Sequence, residues 1–163
     1  MPTKTVEDCV GLLVSRGLKI AFVESATAGR LSAEFSMVVE SGKILLGGIV
    51  CYDVSIKTSL LEIPNEIIGE FTPESAEVTK ALAENLRQYF DADIIVAVTG
   101  LATPGGSESP EKPVGTMFFH ILLPDGFVSH REVFHGSPEQ IITNSIDKVC
   151  VLITARIAKN SNK

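Results

Sequence analysis

The stretch Asp93–Gly100, "DIIVAVTG", constrains the fold more than any other part of the chain. Its five consecutive apolar residues, with no polar alternation, suit a strand covered on both faces, as in sheets sandwiched between helices. Residues 18–25, "LKIAFVES", repeat the pattern. The connection leaving Asp93–Gly100 is equally telling. Residues 98–116, "VTGLATPGGSESPEKPVGT", make a nineteen-residue stretch with three prolines and four glycines. Connections of that length inside a compact chain are usually functional or disordered, and this one leaves an apolar strand at the place where open α/β sheets hold ligands.

Amphipathic helices alternate with the strands. Val6–Arg16 has apolar residues at helical spacing and a stop at Gly17, and a second helix is expected over Gly29–Val39. "KILLGGIVCY" reads as a strand whose Gly47-Gly48 pair suggests a bulge or a close backbone approach, and "DVSIKTSLLEI" as a short helix ended by Pro64. "EFTPESAEV" predicts a helix capped by Thr72, with Pro73 first and Glu74 at the positive end of the dipole. It should run to Phe90 with Leu82, Leu86 and Tyr89 inward. "VGTMFFHILL" and "FVSHREVF" read as an antiparallel hairpin around "PDG". "SPEQ" at 137–140 is a capping box opening a last helix with Ile142, Ile146, Val149, Ile153 and Ile157 on one face. The order predicts one α/β domain over 1–163, with helices packed on a mixed sheet.

Charge and cysteines exclude several functions. Fourteen basic residues against twenty acidic ones give a net charge of −6, the wrong sign for sequence-independent nucleic-acid binding. Cys9, Cys51 and Cys150 lie in apolar periodic segments without ligand spacing, as reduced core thiols of a cytoplasmic protein would. No apolar run is long enough for a membrane span, and the N-terminus has no signal-peptide core. The three histidines have no acidic or cysteine partner at ligand spacing, so no metal is expected.

Three polar segments interrupt the apolar pattern at strand ends. "ESATAG" at 24–29 offers the hydroxyls of Ser25 and Thr27 and, from Gly29 onward, a helix N-terminus; it reads either as a helix cap or as an anion site. "YDVSIK" sets Lys57 five residues after Tyr52 just past a strand. That lysine is either a solvated surface residue or, where desolvation disfavours its charged form, a base. In the long connection, Thr99, Gly100, Pro104, Gly105 and Gly106 could bring backbone N–H groups to a phosphate or an oxyanion, or make a plain loop. The residues 107–111 have no apolar anchor and should be its loosest part. Neither a Walker sequence nor GxGxxG nor G-x-S-x-G is present.

In this order the segments resemble the C-terminal domain of the competence/damage-inducible CinA family. Its pattern runs roughly "ESCTGG", "GSS" leading to "GG-x-V-x-Y" with a Lys five beyond the Tyr, "GAVS", "TGIAGPGG" and "KPVGTV". The counterparts here are "ESATAG", "ESGKILLGGIVCYDVSIK", "GEFT" and "VTGLATPGGSESPEKPVGTM". Single-domain members are nicotinamide mononucleotide deamidases. The resemblance therefore implies a three-layer α/β/α fold and hydrolysis of that nucleotide's amide in pyridine-nucleotide salvage, without metal or cofactor. It implies a serine nucleophile, Ser25 or Ser41, with Lys57 as base and Tyr52 positioning or relaying. Thr27, Gly29, Gly48, Thr99, Gly100, Pro104, Gly105 and Gly106 would contact the nucleotide, and a homo-oligomer is expected. Gly42 stands at the last serine of "GSS", and Gly136-Ser137-Pro138 where members often carry "GDR". These departures imply weak activity with Ser25 and Ser41 both near Lys57; the alternative is a nucleotide-binding or regulatory module without turnover.

Overall fold

A computed structural model describes residues 1–160. The elements run α1 (Lys4–Arg16), β1 (Ile20–Glu24), α2 (Arg30–Ser36), a 3-10 turn (Ser41–Lys43), β2 (Leu45–Val50), α3 (Val54–Ser59), α4 (Asn65–Phe71), α5 (Ala76–Leu86), β3 (Ile94–Gly100), β4 (Thr116–Leu123), β5 (Gly126–Val133) and α6 (Pro138–Asn160). The sheet order is β2-β1-β3-β4-β5, parallel across β2, β1 and β3 and antiparallel from β3 to β5. The expected mixed sheet and the hairpin around "PDG" are both present.

Alternation along the apolar strands feeds two cores. Phe22, Val96, Val98, Met117, Phe119 and Ile121 face α1, α2 and α6, with Phe22 edge-on to Phe35 at 4.9 Å. Ala21, Val23, Ile95, Ala97 and Leu122 face the α3–α5 side. A strand buried on both sides has no room for polar alternation, and β1 and β3 are fully buried apart from Gly100.

The capping box is reciprocal: Ser137 N–H donates to Gln140 Oε1 at 2.7 Å, and Gln140 N–H to Ser137 Oγ at 3.3 Å. The expected bulge is also found. β1–β2 pairing slips between Ile20/Leu45 and Ala21/Gly47, and a Cβ on Gly48 would run into the Phe22 carbonyl. Gly48 therefore serves the close approach of β1 and β2.

Helix boundaries differ from the pattern in several places. α2 ends at Ser36 instead of Val39, the chain turning at Glu40 with φ 68°, and α3 ends at Ser59, short of Pro64. α5 starts three residues later than Thr72-Pro73 suggests, because Ser75 caps it by accepting from Val78 N–H; Thr72 instead closes α4. α4 escapes the pattern because it buries no side chain, Ile67 and Ile68 only resting against the core. Tyr89 lies beyond α5, half-exposed, its hydroxyl donating to Leu60 O at 2.5 Å.

Candidate functional site

The parallel strands β1, β2 and β3 end at one edge of the sheet, and the chain turns there into each polar segment. Beyond β1, Ser25 N–H donates to Val98 O at 2.9 Å; beyond β2, Cys51 N–H donates to Glu24 O at 2.8 Å. Asp53 caps α3, its carboxylate accepting from Ser55 N–H at 2.8 Å. The helix therefore starts at once and turns Lys57 back under the sheet edge. Lys57 is fully buried and is the only buried residue of α3. Its Nζ donates to Ser25 Oγ at 2.9 Å and to Cys51 O at 2.8 Å. Burial pushes the neighbouring Cys51 thiol pKa up, so it stays protonated and is no competing nucleophile.

Glu24, not singled out from the sequence, fixes the turn that carries Ser25. Its buried carboxylate accepts from Thr27 Oγ1 (2.7 Å), Gly29 N–H (3.0 Å), Leu31 N–H (2.9 Å), Ser32 N–H (2.8 Å) and Ser32 Oγ (2.6 Å). It thus satisfies the orphan donors at the start of α2 from the preceding strand. The signal is present in the sequence, an acid beside the candidate serine and just before a helix. Thr27 and Gly29 are consumed in this network and do not line the cleft.

That cleft has a volume of about 420 Å³ and is lined by Ser25, Ala26 and Ala28 from the first turn, Tyr52, Glu74, Gly100–Gly106, and Pro138 and Ile142 of α6. Among the described lining residues none is a lysine or an arginine. The long connection is held by polar contacts where no apolar anchor exists. Lys112 Nζ donates to Thr72 Oγ1 (2.5 Å), Glu74 O (2.9 Å) and Ser107 Oγ (2.7 Å), and Ser107 donates to the Glu74 carboxylate. Desolvation pulls the Lys112 pKa down. Thr72, at φ 69° and ψ 158°, sits where β-branched residues are rarely found, the kind of strain that gathers at ligand sites.

Of the expected residues, the fold brings Ser25, Tyr52, Lys57, Gly100, Pro104, Gly105 and Gly106 together. Tyr52 is 65% exposed at the mouth, a place for contacting a ligand. Thr99 is fully buried and shares a 2.8 Å hydrogen bond with Thr79 Oγ1, behind the cleft wall. Ser41 is not near Lys57. It precedes β2, whereas Lys57 follows it, and its Oγ donates to Ser36 O at 3.1 Å. β2 alone separates the two by about 16 Å at ~3.3 Å per residue. Gly42 shares that remote turn, so the serine missing from "GSS" takes nothing from the cleft. Pro138 lines the cleft at the family's "GDR" position.

The arrangement can activate a hydroxyl: a lysine amine removed from water, held by one carbonyl, with its remaining contact on a serine that opens into a cleft. Among the described residues no helix is long and apolar enough to cross a membrane.

The family model for the CinA C-terminal domain matches residues 2–157. A CinA-like protein of Desulfotalea psychrophila is 37% identical over 138 residues, 84% of this chain and 33% of that protein. A CinA-like protein of Mycolicibacterium gilvum is 42% identical over 137 residues, 83% of this chain and 32% of that protein. The chain thus spans about a third of the length of these relatives. Among solved structures, a CinA superfamily protein of Klebsiella pneumoniae superposes with a TM-score of 0.89 at 21% identity, covering 96% of this chain and 97% of that one. One of Enterobacter cloacae gives 0.85 at 26%, covering 95% and 94%. The fold, the matched span and these relatives agree: the chain belongs to the CinA C-terminal domain family.

Proposed function

We propose that the chain is a serine–lysine amidohydrolase that converts nicotinamide mononucleotide to nicotinate mononucleotide and ammonia. The observation that carries this reading is the 2.9 Å contact between buried Lys57 Nζ and Ser25 Oγ, with Ser25 lining the cleft. Ser25 Oγ attacks the carboxamide carbon as its proton passes to the Lys57 amine, and the carbonyl electron pair moves onto oxygen. The Ala26 N–H follows the nucleophile, lines the cleft and makes no backbone hydrogen bond among the described residues; it is the donor we assign to that oxyanion. The C–N bond then breaks and the nitrogen leaves as ammonia with the proton from Lys57. A nicotinyl ester remains on Ser25. Water attacks the ester with Lys57 again taking a proton, which returns to Ser25 as the acid departs.

The test is ammonia release by purified protein given the mononucleotide, with Ser25→Ala as control. Release by wild type and its loss in Ser25→Ala supports the reading. Binding of the nucleotide with no ammonia from wild type points instead to the nucleotide-binding module, and undiminished release by Ser25→Ala rejects the nucleophile.

A further inference from the structure

The Pro104-Gly105-Gly106 turn is already occupied by an anion of the chain's own. Glu108 Oε1 accepts the Gly105 N–H at 2.8 Å. The Gly105, Glu108 and Gly106 N–H groups together hold its carboxyl below the usual carboxylate range. Gly105 sits at φ 99°, the left-handed conformation that lets successive N–H groups converge into an anion-binding nest. A Cβ on Gly106 would meet Leu101 Cδ2 at 2.5 Å and lie 3.7 Å from Glu108 Oε2, so this backbone and the carboxylate are in close register. Gly105 and Gly106 line the same cleft as Ser25, and no lysine or arginine is among its described lining residues. An anionic group entering the cleft therefore meets hydroxyls (Ser25, Tyr52, Thr103) and backbone N–H groups as donors there, and the Gly105 N–H is already taken by Glu108. Glu108 itself is exposed, so its carboxylate can swing into water without a burial cost.

We infer that Glu108 is a built-in competitor for the anion subsite of the cleft: its carboxylate fills the Gly105–Gly106 nest and must leave before a substrate's phosphate can enter. Glu108 thereby sets how strongly the cleft prefers a phosphorylated amide over its unphosphorylated counterpart. The part concerning amides rests on the amidohydrolase reading; the nest and its occupant do not.

The experiment has two arms, so the two ideas fail separately. In the first, inorganic sulfate is titrated into wild type, Glu108→Gln and Glu108→Ala while the Gly105 and Gly106 amide resonances are followed by NMR. Sulfate should bind Glu108→Ala about fivefold more tightly than wild type, the worth of one ordinary hydrogen bond. Glu108→Gln, which keeps an acceptor but no charge, should fall between. In the second arm, KM for nicotinamide mononucleotide should drop by a similar factor in Glu108→Ala while KM for the corresponding nucleoside stays put. Sulfate affinity unchanged or weakened in both variants overturns the inference, as does an equal change in KM for the two amides. If wild type hydrolyses neither amide, the amidohydrolase reading fails while the sulfate arm still decides the role of Glu108.

Discussion

Replacing Lys57 by methionine separates chemistry from architecture. The side chain is fully buried and Nζ makes two hydrogen bonds, at 2.8 and 2.9 Å. Methionine matches the length and fills the space without the amine. On the stability side, the variant leaves the Cys51 carbonyl without its Lys57 donor, at about 1–3 kcal/mol for a buried acceptor, while Ser25 can turn toward the cleft and bond water. Against this, an amine no longer has to be stripped of water, a cost of about 1–3 kcal/mol for a neutral polar group. The two terms nearly cancel, and Lys57→Met should unfold within about 2 kcal/mol of wild type. On the catalytic side nothing cancels. Losing a general base costs about 10²–10⁴ in rate, or roughly 3–5 kcal/mol of barrier. Lys57→Arg is not a conservative control here. A guanidinium is larger than the closed site, costing about 1–3 kcal/mol in overpacking, and it stays charged and cannot accept the proton. Urea unfolding and ammonia release, measured on the same preparations, check both halves. A Lys57→Met protein that loses more than about 4 kcal/mol would make Lys57 a structural strut; one that keeps more than about a tenth of the turnover would remove it as the base.

Gly42→Ser should leave ammonia release unchanged, because the remote turn never meets the cleft and the added Cβ meets nothing within 4 Å; a rise in turnover would mean that turn reaches the site. Glu24→Gln should cost about 2–4 kcal/mol in urea unfolding, since the amide nitrogen cannot accept from the donors now meeting the carboxylate, and a loss under about 0.5 kcal/mol would contradict the capping role. Gly48→Ala should yield insoluble or strongly destabilised protein, its Cβ striking the Phe22 carbonyl, and normal thermal stability would show that the β1–β2 approach can relax. Burial pulls the His120 pKa below its usual 6.5. Between the folded and unfolded values the unfolded chain binds more protons, so His120 costs stability as pH falls below about 6.5 and the cost levels off below the folded value. The stability advantage of wild type over His120→Asn should shrink between about pH 7.5 and pH 5, and a gap that stays constant would refute this.

Much of the scaffold is legible because it is written in periodicity. β1 and β3 read as buried runs, α1 ends at its Gly17 stop, and "SPEQ" announces the start of α6, each by a local rule that tertiary packing does not override. α4 is invisible for the complementary reason: a helix resting on the core through two half-buried isoleucines has no full apolar stripe to display. The site is legible where chemistry and strand ends coincide, at Ser25 and Lys57, and illegible where partners come from afar. Glu24 looks like part of a candidate serine motif until its five contacts with the turn and α2 are in view. Thr72 looks like a helix cap because Thr-Pro-Glu is a good one; Lys112, forty residues on, uses its hydroxyl instead. Ser41 enters only through its match to a family motif, and the direction of β2 shows that it lies at the wrong end of the strand.

The placement of Ser25 follows from a closed circuit of short bonds. Its Oγ meets Lys57 Nζ; Lys57 Nζ donates to Cys51 O; Cys51 N–H donates to Glu24 O; and Glu24 is joined to Ser25 by a peptide bond. A second tie, Ser25 N–H to Val98 O, pins the same residue to β3, while the Glu24 side chain locks the far side of the turn to α2. Every member of the circuit sits at a strand end or on the helix that follows, elements held by buried cores on both faces of the sheet. Ser25 and Lys57, the proposed nucleophile and base, are therefore positioned before any ligand arrives, which is the condition under which orientation lowers a barrier instead of being assembled at the ligand's expense. The opposite wall of the cleft is built differently. Its Gly105 and Gly106 are exposed, its anchors are the polar contacts of Lys112 and Ser107, and its nest is filled by a displaceable carboxylate. A rigid chemical wall facing an adjustable binding wall lets substrate choice change by substitution in the loop without disturbing the Ser25–Lys57 geometry.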